Sequence, residues 1–335
     1  PIASSAASDV YKRQSKYSGS PLNIAVTGGS GLIGSQLKPF LTTAGHYVEN
    51  IVRGRPQKGE LSWNLDDKTI SNLSGKDVVV HLAGEPISKP LGGMIPLPWT
   101  KWKRNEILKS RVEGTKLISE HIASLNNPPK VMICASAVGY YGDRGEDLLS
   151  ESDKSGDDFF SHVVSEWEKA AQPAVDAGIR VVFLRIAPVM SPLGGALQVL
   201  GNAAKLGSSP PVAGGKQWWS WISLDDVVDV IYHSIINEKI SGPVNVASPN
   251  PVRQKEWAAT LAKVIWGRFG PITGLIPVPG FALKTVLGEF GDVLALSSIR
   301  IDSSKLLDSG YKLRFDNLED CFRHLLGKRA AEELQ

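Results

Sequence analysis

Three glycines at fixed spacing carry the first chemical signal. Ile24-Ala25-Val26-Thr27-Gly28-Gly29-Ser30-Gly31-Leu32-Ile33-Gly34 passes from an apolar, β-rich run through a turn into a helical pattern. In such a strand–turn–helix Gly28 permits the tight turn, Gly31 lets backbone approach a pyrophosphate, and Gly34 lets helix and strand pack closely. The helix start then offers free N–H groups and the positive end of its dipole to the phosphates. A merely flexible turn would explain the glycines but not the second strand that follows on schedule. That strand ends Ile51-Val52-Arg53-Gly54-Arg55. About 20 residues beyond the last glycine an acid would bind the ribose of NAD, whereas an Arg accepts the 2′-phosphate of NADP. Arg53 stands nineteen positions after Gly34; its bland alternative is a solvated basic turn. His81-Leu82-Ala83-Gly84 closes a further strand, and its small residues let an adenosine half lie flat; the alternative is only a strand end and turn. The expected cofactor is NADP.

These residues need a layered scaffold to position them. From Leu22 the chain alternates β-rich runs with helical patterns, the signature of a parallel α/β sheet. Strands are expected at Leu22–Thr27, Tyr47–Val52, Asp77–Ala83, Lys130–Ala135, Ile179–Ile186 and Pro243–Ala247. Helices are expected near Leu32–Ala44, Trp102–Ser124, Asp157–Ala177 and Leu224–Asn237, with Pro39 kinking or shortening the first. Continuously apolar strands imply cover on both faces. Two Gly/Pro-dense loops, Glu85–Pro98 and Pro188–Gly215, have the length of lids or substrate walls. After Pro249 the alternation stops and helical pieces run to Gly327. The expected fold is α/β, a Rossmann-type doubly wound parallel sheet with a small, mostly helical C-terminal lobe. Its divisions are a tail or transit-peptide remnant (1–20), an NADP-binding domain with substrate-side loops (21–249), the lobe (250–328) and a short tail (329–335).

Composition narrows the classes. The chain has 335 residues, 42% hydrophobic, and a net charge of +3 from 37 basic and 34 acidic side chains. So small an excess gives no reason to expect nucleic acid or an anionic membrane as partner. No apolar run reaches the roughly 18 residues of a membrane span. Two cysteines make no disulfide framework and suit a reducing compartment, and the histidines show no metal-ligand spacing. A cytoplasmic location is expected, or a mitochondrial or plastid matrix if the Ser/Ala-rich residues 1–20 belong to a transit peptide. A small molecule is the expected partner, and the sequence sets no oligomeric state.

The glycine spacing resembles that of the short-chain dehydrogenase/reductase superfamily. Residues 21 to about 327 resemble its atypical members grouped as NAD(P)-dependent epimerase family proteins, with a C-terminal domain of unknown function. The matching stretches are Thr27–Gly34, His81–Ile87, Ser110–Thr115, Ala135–Gly142, Trp218–Val227 and Asn245–Pro251. The resemblance extends the cofactor contacts to Ser30, Leu32, Ile33, Leu82, Ala83, Gly84 and Val189. It also implies that Arg111, where the superfamily usually has Asn, faces the cofactor together with Glu106; the alternative is an ordinary helix-surface pair.

Active superfamily members use a Tyr acid/base, a Lys four positions later and a Ser that holds the substrate carbonyl. Ser136 matches the Ser with a one-residue offset in the turn; the alternative is a local backbone cap. Anchoring the following helix on Glu168 puts Phe160 at the Tyr position and Val164 at the Lys position, so neither can move a proton. Tyr140 and Tyr141 are the candidate substitutes, while Phe159, Phe160, Val163, Val164 and Trp167 at helical spacing also read as core packing. Trp218, Trp219 and Trp221 read as core or lid packing, with a sugar-stacking platform as the alternative. Two functions stay open: an NADP-dependent oxidoreductase or epimerase acting on a small polar molecule or nucleotide sugar, and a non-catalytic NADP(H)-binding redox sensor or scaffold. Ser136 and the two long loops favour the first; Phe160 and Val164 favour the second.

The Arg53 assignment predicts a cofactor preference. A charge-assisted hydrogen bond to the 2′-phosphate contributes about 1.5–3 kcal/mol, so Arg53→Ala lowers NADPH affinity roughly ten- to a hundredfold and leaves NADH affinity unchanged. Calorimetry on both proteins checks this.

Overall fold

Strands apolar on both faces need helices on both sides, and the chain supplies them. The computed structural model describes residues 20–87, 98–267 and 288–328. The Rossmann half runs β1 (Asn23–Thr27), α1 (Gly34–Thr43), β2 (Tyr47–Arg53), β3 (Glu60–Asn64), β4 (Thr69–Ile70), β5 (Val78–His81), α2 (Lys101–Ala123) and β6 (Val131–Ala137). It continues with β7 (Leu148–Leu149), α3 (Phe159–Lys169), α4 (Gln172–Asp176), β8 (Arg180–Ile186), β9 (Val189–Met190), α5 (Gly195–Lys205), β10 (Trp218–Trp219) and β11 (Ile222–Ser223). The remainder is α6 (Leu224–Ile236), β12 (Gly242–Val246), β13 (Val252–Arg253), α7 (Gln254–Trp266), β14 (Arg300–Ile301), α8 (Ser304–Asp308) and α9 (Leu318–Leu325).

The main sheet has eight strands in the order β12-β8-β6-β5-β1-β2-β3-β4. All neighbours are parallel except β3 and β4 at the edge. Strand order reverses between β1 and β5, where Thr27 pairs with His81, and such a switch point is where open α/β sheets bind ligands. Ile24, Val26, Val80 and Ile133 face Leu37 and Leu41 of α1 and Ile231 of α6. Ala25, Val79, Met132 and Cys134 face Ile118 and Ile122 of α2 and Trp167 of α3. Alternate residues of each strand therefore enter opposite layers, both dry.

All six expected strands form, each within two residues of its expected limits. Three details differ. The hairpin β3–β4 is additional; its turn is built by the Asn64 side chain, which accepts from the N–H groups of Asp66 and Asp67. The single helix expected over Asp157–Ala177 is two, because Pro173 in the first turn of α4 cannot donate into a continuous helix. The Pro188–Gly215 segment is not loop throughout: α5 packs Leu197 and Ala204 against Trp257 and Leu261 of α7 and Phe322 of α9. That third cluster also takes in Met190 and Trp221, so residues from both sides of Pro249 build it. Pro39 lies inside α1, which still runs to Thr43. Residues 88–97 of the first long loop, the 271–280 Pro/Gly stretch, residues 1–19 and the 329–335 tail lie outside the described residues. No helix among the described residues is long and apolar enough to cross a membrane.

Trp221 has no exposed surface and donates its Nε1–H to the Asn250 carbonyl at 3.0 Å. Trp221→Ala is therefore expected to cost about 3–5 kcal/mol, read as a lower denaturation midpoint.

Candidate functional site

The glycine turn is shaped partly by its neighbours and partly by open space. Gly28 has φ +70°, and a Cβ there would lie 2.7–2.8 Å from the Leu82–Ala83 backbone. A Cβ on Gly34 would run into the Gly28 carbonyl, so helix and turn meet backbone to backbone. Gly31 differs: it is exposed, and its Cβ would touch only the Gly28 oxygen, at 3.2 Å. Beyond its chain neighbours, no other atom of the described residues comes within 4 Å of that Cβ. Among the described residues α1 has no side-chain N-cap, and the N–H groups of Leu32 and Ile33 make no backbone hydrogen bond. Beside the turn, against Gly29, the Asn50 Oδ1 is buried without a donor. Unpaired donors around a cleared space, at a positive helix end, fit a diphosphate.

Thr27 holds the other wall in place. Its hydroxyl accepts from the N–H groups of Leu82 and Ala83, both at 3.2 Å, and lies 2.7 Å from His81 Nδ1. Its single proton therefore goes to Nδ1, leaving the His81 proton on Nε2. Burial, helped by the Arg111 charge, pulls the His81 pKa down to about 3, so the ring stays neutral. Leu82 and Ala83 are thus presented at the switch point by a buried Thr–His pair, a function of Thr27 and His81 that spacing alone did not reveal.

Arg111 supports the same wall from beneath. It is 8% exposed; Nη1 donates to the Glu85 carbonyl at 2.9 Å and to the Ile107 carbonyl at 3.3 Å, and the guanidinium lies over the Trp167 ring. A Cβ on Gly84 would sit 3.3 Å from its Cζ. Burial lowers its pKa to about 10, with Glu85 opposing. Arg111 is therefore no surface residue. Glu106 is half-buried and forms no ion pair with it; backbone carbonyls orient the guanidinium instead.

Arg53 ends β2 exposed and without an ion pair among the described residues, and Ser30 is exposed on the turn. Val189 opens β9, which pairs with Ile222 of β11. The following segment crosses back to the glycine turn: a Cβ on Gly194 would touch the Leu32 side chain, and one on Gly195 the Val189 carbonyl. Leu32, Leu82 and Val189 all pack against the cluster that covers the α1 face of the sheet.

Ser136 and Tyr141 belong to a buried charge network. Ser136 Oγ donates to Glu168 Oε1 at 2.6 Å, and Arg185 grips both Glu168 oxygens through Nε at 2.9 Å and Nη2 at 2.8 Å. Arg185 Nη1 donates to Tyr141 Oη, which donates to Asn245 Oδ1 at 2.7 Å. Burial opposes the Arg185 charge, but Glu168 and Tyr141 outweigh it and hold the guanidinium protonated. Burial pushes the Tyr141 phenol up to about 12, with Arg185 pulling against it. Tyr141 has no exposed surface, and the Ser136 proton is already committed. Tyr140 is different: half-buried, its ring 3.5 Å from the Arg185 Cζ, its hydroxyl without a hydrogen-bond partner among the described residues. Glu168 and Arg185 are the members whose pairing sequence reasoning missed: Glu168 served only to anchor the helix, and Arg185 interrupts an apolar strand.

Phe160 and Val164 are sealed in an apolar cluster with Ile107, Val163 and Val293. The Phe160 ring fills the space beside Gly139, where no side chain would fit. Trp221 and Trp219 are packing residues, the latter against Trp257 at 5.5 Å, whereas the half-buried Trp218 stands beside Arg253 and Arg300.

Residues 24–247 match the NAD-dependent epimerase/dehydratase family, and residues 278–325 match a domain of unknown function. The epimerase family protein YfhF of Bacillus subtilis is 33% identical over 315 residues, covering 92% of this chain and 99% of its own. The Arabidopsis thaliana protein named SDR39U1 homolog, chloroplastic, is 30% identical over 92% of this chain and 87% of its own. Human SDR39U1, solved with NADPH, superposes with a TM-score of 0.81 at 29% identity, covering 92% of this chain and all of that one. A nucleoside-diphosphate sugar epimerase from Corynebacterium glutamicum gives 0.77 at 33% identity; this chain covers 61% of its length, and 95% of this chain is matched.

Two substitutions test the geometry. Gly31→Val fills space that no protein atom occupies, so NADPH binding measured by calorimetry is lost while the melting temperature changes little. Val164→Lys buries a charge with no partner and costs more than about 3 kcal/mol, visible in chemical denaturation.

Proposed function

The chain belongs to the NAD-dependent epimerase/dehydratase family, and from that premise we propose that it is an NADP(H)-binding protein whose proton relay has given way to apolar packing. One contrast supports this. The glycine turn keeps open space and unpaired N–H groups, while Phe160 and Val164, at the acid/base positions, are 5% and 0% exposed. A bound nicotinamide supplies hydride chemistry. The chain's own part is to seat the diphosphate at Gly31–Ile33, the 2′-phosphate at Arg53 and the adenosine half against Leu82–Gly84. The NADPH in the human relative's structure supports the phosphorylated cofactor. Two buried free thiols suit a reducing compartment.

A second function, an oxidoreductase or epimerase acting on a small polar molecule or nucleotide sugar, is favoured by Tyr140, whose uncommitted hydroxyl follows the end of β6. Ser136 serves that function less well, because its proton points at Glu168. Turnover decides between them. A missing general acid forfeits about 10²–10⁴ in rate. The expected result is saturable NADPH binding with carbonyl reduction that much slower than in relay-bearing reductases, across aldehydes, ketones and nucleotide sugars. Measurable turnover abolished by Tyr140→Phe establishes the second function. Brisk turnover unaffected by Tyr140→Phe contradicts both.

A further inference from the structure

Two guanidinium groups with different commitments lie against the Trp218 ring. The Arg253 Cζ lies 3.9 Å from its ring centroid and the Arg300 Cζ 4.6 Å. Arg253 donates to both oxygens of Glu146, at 2.9 and 2.7 Å, and to the Lys216 carbonyl. Glu146 also accepts from Trp218 Nε1 at 2.9 Å, so the carboxylate holds both Arg253 and the indole. Arg300 has no such partner. It makes no hydrogen bond or ion pair among the described residues, and its Nε is buried without an acceptor. A guanidinium cannot shed its proton to relieve this. Glu146 feels the Arg300 charge without hydrogen-bonding it, so the forked donors of Arg300 stay open among the described residues.

Apolar surface adjoins Arg300. Arg300 pairs in register with Leu148 across β14 and β7, so the two side chains leave the same face of that ribbon. The next residues, Ile301 and Leu149, are buried, whereas Leu148 is 53% exposed. Ser298, just before β14, is tied to the turn after Tyr141 through Asp143 and Gly145. The patch therefore lies beyond the same sheet edge as Ser136 and Tyr140, and none of its residues belongs to the nucleotide cradle.

We propose that Arg300, Trp218 and Leu148 bind a small organic anion. A carboxylate or phosphate takes the forked donors of Arg300, the geometry such groups match best. An apolar or planar body lies against the Trp218 indole and Leu148. Arg253 and Glu146 fix the indole without touching the ligand.

The probes are naphthoate, naphthyl phosphate, the neutral naphthylmethanol and inorganic phosphate, titrated calorimetrically into the full chain with and without saturating NADPH. One or both naphthyl anions bind, and the tighter one identifies the anionic group. The neutral analogue and bare phosphate bind at least about tenfold more weakly, as loss of a charge-assisted hydrogen bond requires. Arg300→Gln and Leu148→Glu each weaken the anion by a similar factor, with melting temperature and NADPH affinity unchanged. Leu148→Glu alters an exposed position, so it remains decisive if Arg300→Gln fails to fold. The site is overturned if the neutral analogue or phosphate binds as tightly, if Leu148→Glu changes nothing, or if NADPH displaces the probe.

Discussion

The Thr27 hydroxyl joins the two halves of the sheet where they diverge. Two N–H groups from the end of β5 point at it, and its own proton goes to His81. Gly28 follows at once, with no room for a side chain against Leu82 and Ala83. The glycine turn and the Leu82–Ala83 wall are therefore positioned against each other by backbone contact and a buried polar pair, not by loop chemistry. Gly34 on the Gly28 carbonyl and Arg111 beneath Gly84 complete the same unit. Because the His81 ring stays neutral far below physiological pH, the clamp is insensitive to proton concentration there.

A second polar unit stands where proton chemistry is expected, and it is structural in character. Glu168 and Arg185 form an ion pair with side chains 13% and 3% exposed. Desolvating such a pair is costly unless further hydrogen bonds satisfy it, and Ser136 and Tyr141 supply them. Asn245 then passes the connection on, accepting from Tyr141 and donating to the Leu149 and Asp302 carbonyls. The Ser and one Tyr that read as chemistry thus spend their hydrogen bonds holding β6, β8, β12 and the start of the C-terminal segment together. Phe160 and Val164 complete the change with an apolar cluster.

The sheet was legible because its strands are short, continuously apolar and separated by turn residues; the positions of Gly28, Gly34 and Arg53 follow from it. The β3–β4 hairpin was not, since Glu60–Asn64 mixes polar and apolar residues at a half-exposed edge. α5 was hidden among glycines and prolines and owes its place to packing on α7 and α9. The Glu168–Arg185 pair joins a helix to a strand seventeen residues on, a contact that no local pattern announces. Glu106 illustrates the opposite error: helical spacing suggested a partner for Arg111, but carbonyls at 2.9 and 3.3 Å were nearer.

The central claim is a nucleotide site kept while the proton relay beside it was replaced. A crystal structure of the full chain with NADPH tests it most directly. The account predicts the pyrophosphate on the N–H groups of Leu32 and Ile33, the 2′-phosphate on Arg53, and Phe160 and Val164 still packed beside the nicotinamide. A pyrophosphate bound away from Gly31, or a rearranged α3 that turns an ionisable side chain toward the nicotinamide, would contradict it.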